Sequence, residues 1–148
     1  MLKLCSLAEV DASNWPRGHW YELAPGPDDG KHWAPDGTFV RMDEWERMLE
    51  PLIEGRVPDY DRYRRTHADA SAWEPFLDYL AEVAQRLREA DEAPMLHVLL
   101  PELPVALRWE LARGFPTLPA ELAADLDAVS DWVTAALRHW KSITIIGL

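Results

Sequence analysis

The sequence predicts an α+β fold in which helices dominate. Three observations lead there. The first 42 residues hold short extended segments separated by Pro- and Gly-rich turns. Residues 43–141 hold several runs with apolar side chains three and four apart, the mark of amphipathic helices. Residues 142–148 open with the β-branched run Ser142-Ile143-Thr144-Ile145-Ile146. The 148 residues are read as a single domain in these three parts. A chain of this size buries close to about 70% of its unfolded surface, so it needs no metal or disulfide staple.

Taken in order, His19–Leu23, Lys31–Trp33 and Thr38–Met42 are the extended segments of the first part. Pro25-Gly26-Pro27-Asp28-Asp29-Gly30 and Ala34-Pro35-Asp36-Gly37 are the turns between them. These pieces predict a small antiparallel sheet completed by the C-terminal strand. Asp43 is the expected N-cap of the first helix, with Glu46 as the reciprocal residue of a capping box. Its apolar stripe is Trp45, Met48, Leu49, Leu52 and Ile53, and Pro51 within it predicts a kink or an early end. Ser71-Ala72-Trp73-Glu74 is a second capping box. It opens a helix with the stripe Trp73, Phe76, Leu77, Leu80, Val83, Ala84 and Leu87, ending near Asp91. Met95–Leu100 reads equally as a buried strand or a helical turn. Pro104–Arg113 is a short helix closed by Gly114. The longest helix runs from Thr117 or Leu118 to about Trp140, with Leu122, Leu126, Val129, Val133, Ala136, Leu137 and Trp140 on its inner stripe. Trp109 is likewise assigned to a core stripe.

The chain echoes itself. Thr38–Glu54 and Thr66–Glu82 align at an offset of 28 with six identities, among them Thr38/Thr66, Trp45/Trp73 and Leu52/Leu80. The echo also repeats acids: Glu46, Glu50 and Glu54 in one copy, Glu74, Asp78 and Glu82 in the other. Acids four apart on a helix form a ridge of like charge, and such pairs cost a few tenths of a kcal/mol each. On the longest helix Glu121, Asp125, Ala128 and Trp132 share a stripe beside the core stripe, leaving Trp132 partly exposed near two carboxylates. An aromatic anchor ringed by charge is how protein interfaces concentrate their binding energy. The one basic cluster, Arg62–Arg65, is interleaved with Tyr60 and Tyr63. Its arginines are expected to pair with the acidic ridges inside the fold.

The balance of 26 acidic against 15 basic residues gives a net charge of −11, which repels nucleic acid and anionic lipid and suits either a basic protein partner or no partner, the acidity then serving only solubility. Cys5 is the single cysteine, so there is no intrachain disulfide framework. Glu9 and Asp11 interrupt the N-terminal apolar run, so neither a signal peptide nor a membrane span is expected, and the chain reads as cytoplasmic. The five histidines, His19, His32, His67, His97 and His139, show no metal-ligand spacing. No nucleophile elbow or phosphate loop occurs, and no cofactor is expected.

In size, acidity, tryptophan content and the paired ridges Trp45-Glu46…Glu54 and Trp73-Glu74…Glu82, the chain resembles small cytoplasmic immunity proteins of bacterial polymorphic-toxin and secretion-system effector pairs. The resemblance implies stoichiometric inhibition of one basic toxin domain, such as a nuclease. The expected partner surface is Glu46, Glu50, Glu54, Glu74, Asp78, Glu82, Glu121, Asp125, Trp132, Tyr60 and Tyr63. Two other classes stay open: a small metal- or His/carboxylate-dependent enzyme built around the N-terminal loops, and a structural or adaptor subunit.

Overall fold

The structure, a computed structural model, describes residues 1–147. Its architecture is α+β with helices dominant. Strands β1 (Trp20–Pro25), β2 (Thr38–Arg41), β3 (Arg65–Asp69) and β4 (Ser142–Ile146) form one antiparallel sheet in the order β2-β1-β4-β3. The helices are α1 (Leu7–Ala12), α2 (Met42–Glu44), α3 (Glu50–Ile53), α4 (Ala70–Glu89), α5 (Met95–Leu99), α6 (Val105–Arg113) and α7 (Thr117–Trp140). A π-helical turn, Trp45–Leu49, joins α2 to α3. No helix among the described residues is long and apolar enough to cross a membrane.

The pleat sorts the strands onto two faces. Tyr21, Leu23, Val40, Ala68, Ile143 and Ile145 point at the helical layer and join the main core with Trp45, Trp73, Leu126 and Val133. Trp20 and Phe39 point the other way, into a smaller cluster with Cys5 and Val10. Burial pushes the Cys5 thiol up, which suits a packing residue and not a nucleophile. Cys5 also exchanges two backbone hydrogen bonds of 2.9 Å with Phe39, covering the outer edge of β2. Across the helical layer α4 and α7 pack antiparallel. Arg88 near the end of α4 meets Asp127, and Glu74 and Leu77 near its start face Thr134, Leu137 and Arg138.

Several local expectations need correction. The first helix is not capped by Asp43, because β2 runs straight into it and Arg41 takes the N-cap position with no side-chain bond. The helix is also not regular. Pro51 has no N–H, and its ring crowds the carbonyl four residues back at Arg47, so the turn over Trp45–Leu49 widens to a π-turn. The second cap lies two residues earlier than Ser71. Asp69 accepts from the Ala72 N–H at 3.0 Å, and the Ser71 hydroxyl donates to Asp69 at 2.8 Å. Lys31–Trp33 forms no strand, because its N–H groups bond side chains instead: Lys31 to Asp29 and Trp33 to Glu22. The sheet gains an edge strand, β3, beyond the extended segments that the sequence predicts. Met95–Leu99 resolves as a helix.

The internal echo corresponds to a repeated strand-then-helix unit: β2 followed by α2, and β3 followed by α4. The two copies sit at opposite edges of the sheet. Thr38 pairs Leu23, Leu23 pairs Ile145, and Ile145 pairs Thr66, so the equivalent threonines end a single row across all four strands. A two-fold rotation about the middle of that row exchanges β1 with β4 and β2 with β3.

Candidate functional site

The first acidic row does not form a ridge. Glu50 is 2% exposed and serves as the hub of a buried network. The Trp45 indole N–H donates to the Tyr60 hydroxyl at 3.0 Å, and that hydroxyl donates to Glu50 at 2.9 Å. Arg62 donates to both oxygens of the same carboxylate and lies 3.6 Å from Glu46. Only Glu54, which follows α3, is fully exposed. The physical reason is the π-turn. It adds a residue to the helical repeat and turns Glu50 inward, where Arg62 meets it together with Glu46, while Glu54 lies past the helix end in non-helical conformation and leaves the row. The expected pairing of arginines with ridge acids is therefore real at Arg62. Arg64 pairs with Asp61, and Arg65 with Asp28 at 2.7 Å.

Burial raises the Tyr60 phenol pKa above its usual value, with the Glu50 carboxylate adding to the effect. Tyr60 is thus a structural donor, half-buried behind Arg62, while Tyr63 is exposed. Tyr21 stacks on Trp45 at 4.7 Å between ring centres, and burial pushes its pKa up to about 12.

The second row is intact. Glu74, Asp78 and Glu82 are all exposed on α4, opposite the buried stripe Trp73, Phe76, Leu80 and Val83. Among the described residues Glu74 and Asp78 take part in no ion pair, whereas Glu82 is bonded by Arg86. Arg86 also approaches Glu102 and donates to the Leu99 carbonyl, so the row continues onto the α5–α6 junction. There the surface turns apolar: Val98, Val105 and Trp109 are 79%, 56% and 55% exposed. Trp109 does not join the core that its stripe predicts. α6 buries only Leu107 and Leu111, and Trp109 lies on its outer side against the His97 ring, 4.5 Å between centres. Trp140 is also exposed instead of buried, since it is the last residue of α7 and covers Gly26 beyond the core.

The α7 stripe is separate. Asp125 accepts from the Leu2 N–H at 2.9 Å and lies 3.3 Å from the Met1 amino group. Trp132, two turns on, is partly buried against the main core. Glu121 is exposed. This stripe lies on the flank of α7 that meets the N-terminal segment, and α4 lies on the other flank. The α4 row and Trp132 therefore do not make one surface.

A further constellation escaped the sequence reading. Glu22, 3% exposed in the middle of β1, accepts from the Trp33 N–H at 2.9 Å and the Ala34 N–H at 2.7 Å. It clamps the loop after β1 over the outer face of the sheet, with the His32 imidazole 3.9 Å from its carboxylate. Two clefts flank His32 and Trp33, of about 320 and 300 Å³. The signal available was Glu22 itself, a lone acid between Tyr21 and Leu23 in an otherwise apolar strand. Among the described residues no three His, Cys, Asp or Glu side chains gather to hold a metal ion.

The chain matches no protein-family model, and no curated protein or solved structure is significantly similar to it.

Proposed function

We propose that this protein works by binding a basic protein domain and holding it inactive, in the manner of an immunity protein. The observation that carries the reading is the exposed acidic row of α4, which leads through Arg86 and Glu102 to the open apolar patch at Val98, Val105 and Trp109. An interface needs both parts. A desolvated aromatic anchor supplies most of the binding energy, and surrounding charge steers encounter and selects the partner. Most of the arginines are occupied within the molecule, as Arg62, Arg65, Arg86 and Arg88 illustrate, so the uncompensated surface charge is acidic. A basic nuclease-type toxin domain is the partner chemistry that fits, its phosphate track facing the carboxylates.

The test is coexpression with a toxin domain encoded beside the gene, followed by kinetics of the purified pair. Relief of toxicity and a one-to-one complex are expected. Glu74→Lys/Asp78→Lys/Glu82→Lys should slow association at least about tenfold at low salt and flatten its salt dependence. Trp109→Ala should act mainly on dissociation, speeding it at least about tenfold. Unchanged association and salt dependence in the triple variant would sink the assignment of the α4 face.

A further inference from the structure

We infer that the cleft between the outer face of the sheet and the loop after β1 is a binding site for a small organic carboxylate. It lies on the opposite side of the sheet from the helical layer, so it stands apart from the α4 face.

The floor is Thr144 in the central strand β4 and Ala24 beside it in β1, and the walls are loop residues including Pro27, Trp33 and Pro35. Thr144 is 1% exposed, and its hydroxyl has no hydrogen-bond partner among the described residues. A buried hydroxyl left unmatched is costly, and a ligand oxygen placed in the cleft would satisfy it. Around the mouth stand Lys31 and His32, both exposed, and Arg65. Arg65 is held from below by Asp28 and the Lys31 carbonyl, each at about 2.8 Å. Asp28 is thereby neutralised, and the Arg65 hydrogen bond holds its carboxyl below the usual range. Asp29 is turned to the Lys31 N–H at 2.9 Å. The donors that face the cleft are the Thr144 hydroxyl in its buried floor and the exposed Lys31 ammonium and His32 ring at its mouth, where the exposed Asp29 carboxylate stands beside them.

The loop is fixed in this shape at a conformational cost. Trp33 has φ of 65°, the left-handed region that a bulky side chain rarely adopts. Its N–H bond to the buried Glu22 holds it there. Its ring is also taken up, stacked on Phe39 at 5.4 Å with the Arg17 guanidinium 4.8 Å from the ring centre. Trp33 is therefore a wall and not a stacking platform. Strain locked in by a buried carboxylate beside an unsatisfied buried hydroxyl is the arrangement of a preorganised pocket. The volume, about 320 Å³, admits a compact ligand. Donors at one end and proline, alanine and tryptophan walls call for an oxyanion carried on a small apolar body.

Benzoate, inorganic phosphate and benzamide are suitable probes, titrated into the whole protein and followed by amide NMR shifts. Benzoate should shift Trp33, Ala34 and Thr144 saturably in the millimolar range, and benzamide, its neutral counterpart, should bind at least about tenfold more weakly. Thr144→Val keeps shape and β-propensity, and Lys31→Met keeps length. Each should weaken benzoate about tenfold while leaving the spectrum of a folded protein. No saturable benzoate shift, or equal affinity in Thr144→Val, overturns the site. Phosphate binding more tightly than benzoate overturns the organic-carboxylate assignment.

Discussion

Glu50 shows how one residue departs from what its spacing implies. A carboxylate 2% exposed survives in a core only if its charge is matched, and Arg62, Tyr60 and through it Trp45 do the matching. Glu50→Gln would leave Arg62 only its contact with Glu46 and should cost about 1–2 kcal/mol in urea denaturation, since a charge-assisted hydrogen-bonded pair is lost while the partly exposed guanidinium keeps its water. Glu46→Gln, which loses only a half-exposed 3.6 Å contact, should cost less than about 1 kcal/mol. Tyr21, stacked beside this network, yields a pH prediction. Its folded pKa is pushed up to about 12 from an ordinary 10.0, so the native state holds the phenol proton more tightly than the unfolded chain. The resulting stability is present in full below pH 10 and is lost as pH rises through about 12. Tyr21→Phe should flatten the alkaline fall in stability over that window. At neutral pH it should be neutral or stabilising, because the buried hydroxyl has no partner to lose. A fall of unchanged steepness in the variant would show that Tyr21 does not titrate there.

Elements were legible where apolar period and length agreed. α4 and α7 follow from their stripes almost residue for residue, and β4 from its β-branched run. Ends were less legible, because Ser, Asp and Glu recur near every helix start and tertiary context chooses among them. At α4 the chosen cap is Asp69, which β3 delivers in extended conformation directly to the helix. Asp69→Ala should therefore lower the urea midpoint several times more than Ser71→Ala, whose hydroxyl only supports the cap. Equal effects would return the cap to Ser71. β3 itself was illegible because an edge strand needs few apolar residues. Only Thr66 and Ala68 turn inward, and Arg65, His67 and Asp69 read as loop. Trp109 and Trp140 misled for a related reason, since period places a residue on a stripe but does not say how far the neighbouring element reaches. Half of the candidate surface, the α4 row, could be read from spacing. The apolar patch and the outer-face clefts could not, because they depend on how α5, α6 and the loop after β1 come to rest against the sheet.

At the scale of the molecule, charge and fold are tied together by the row from Thr38 to Thr66. The near two-fold arrangement of strands puts one copy of the acidic helix beside the basic Arg62–Arg65 segment and the other on the open face of α4. In the first copy Arg62 matches Glu46 and Glu50, whereas in the second Glu74 and Asp78 take part in no ion pair among the described residues. A net charge of −11 then opposes the compact state, most strongly at low ionic strength, where charges act over about 30 Å. Raising NaCl from about 0.01 M to about 0.5 M shortens that range to a few ångströms and should raise the Tm by a few degrees. Glu74→Lys/Asp78→Lys removes part of the repulsion in advance. Its Tm at low salt should equal or exceed that of the parent, and its gain with salt should be smaller. If salt instead lowers the parent's Tm, attraction within the ion pairs outweighs repulsion on the α4 face. That face would then not be the unbalanced surface a basic partner completes.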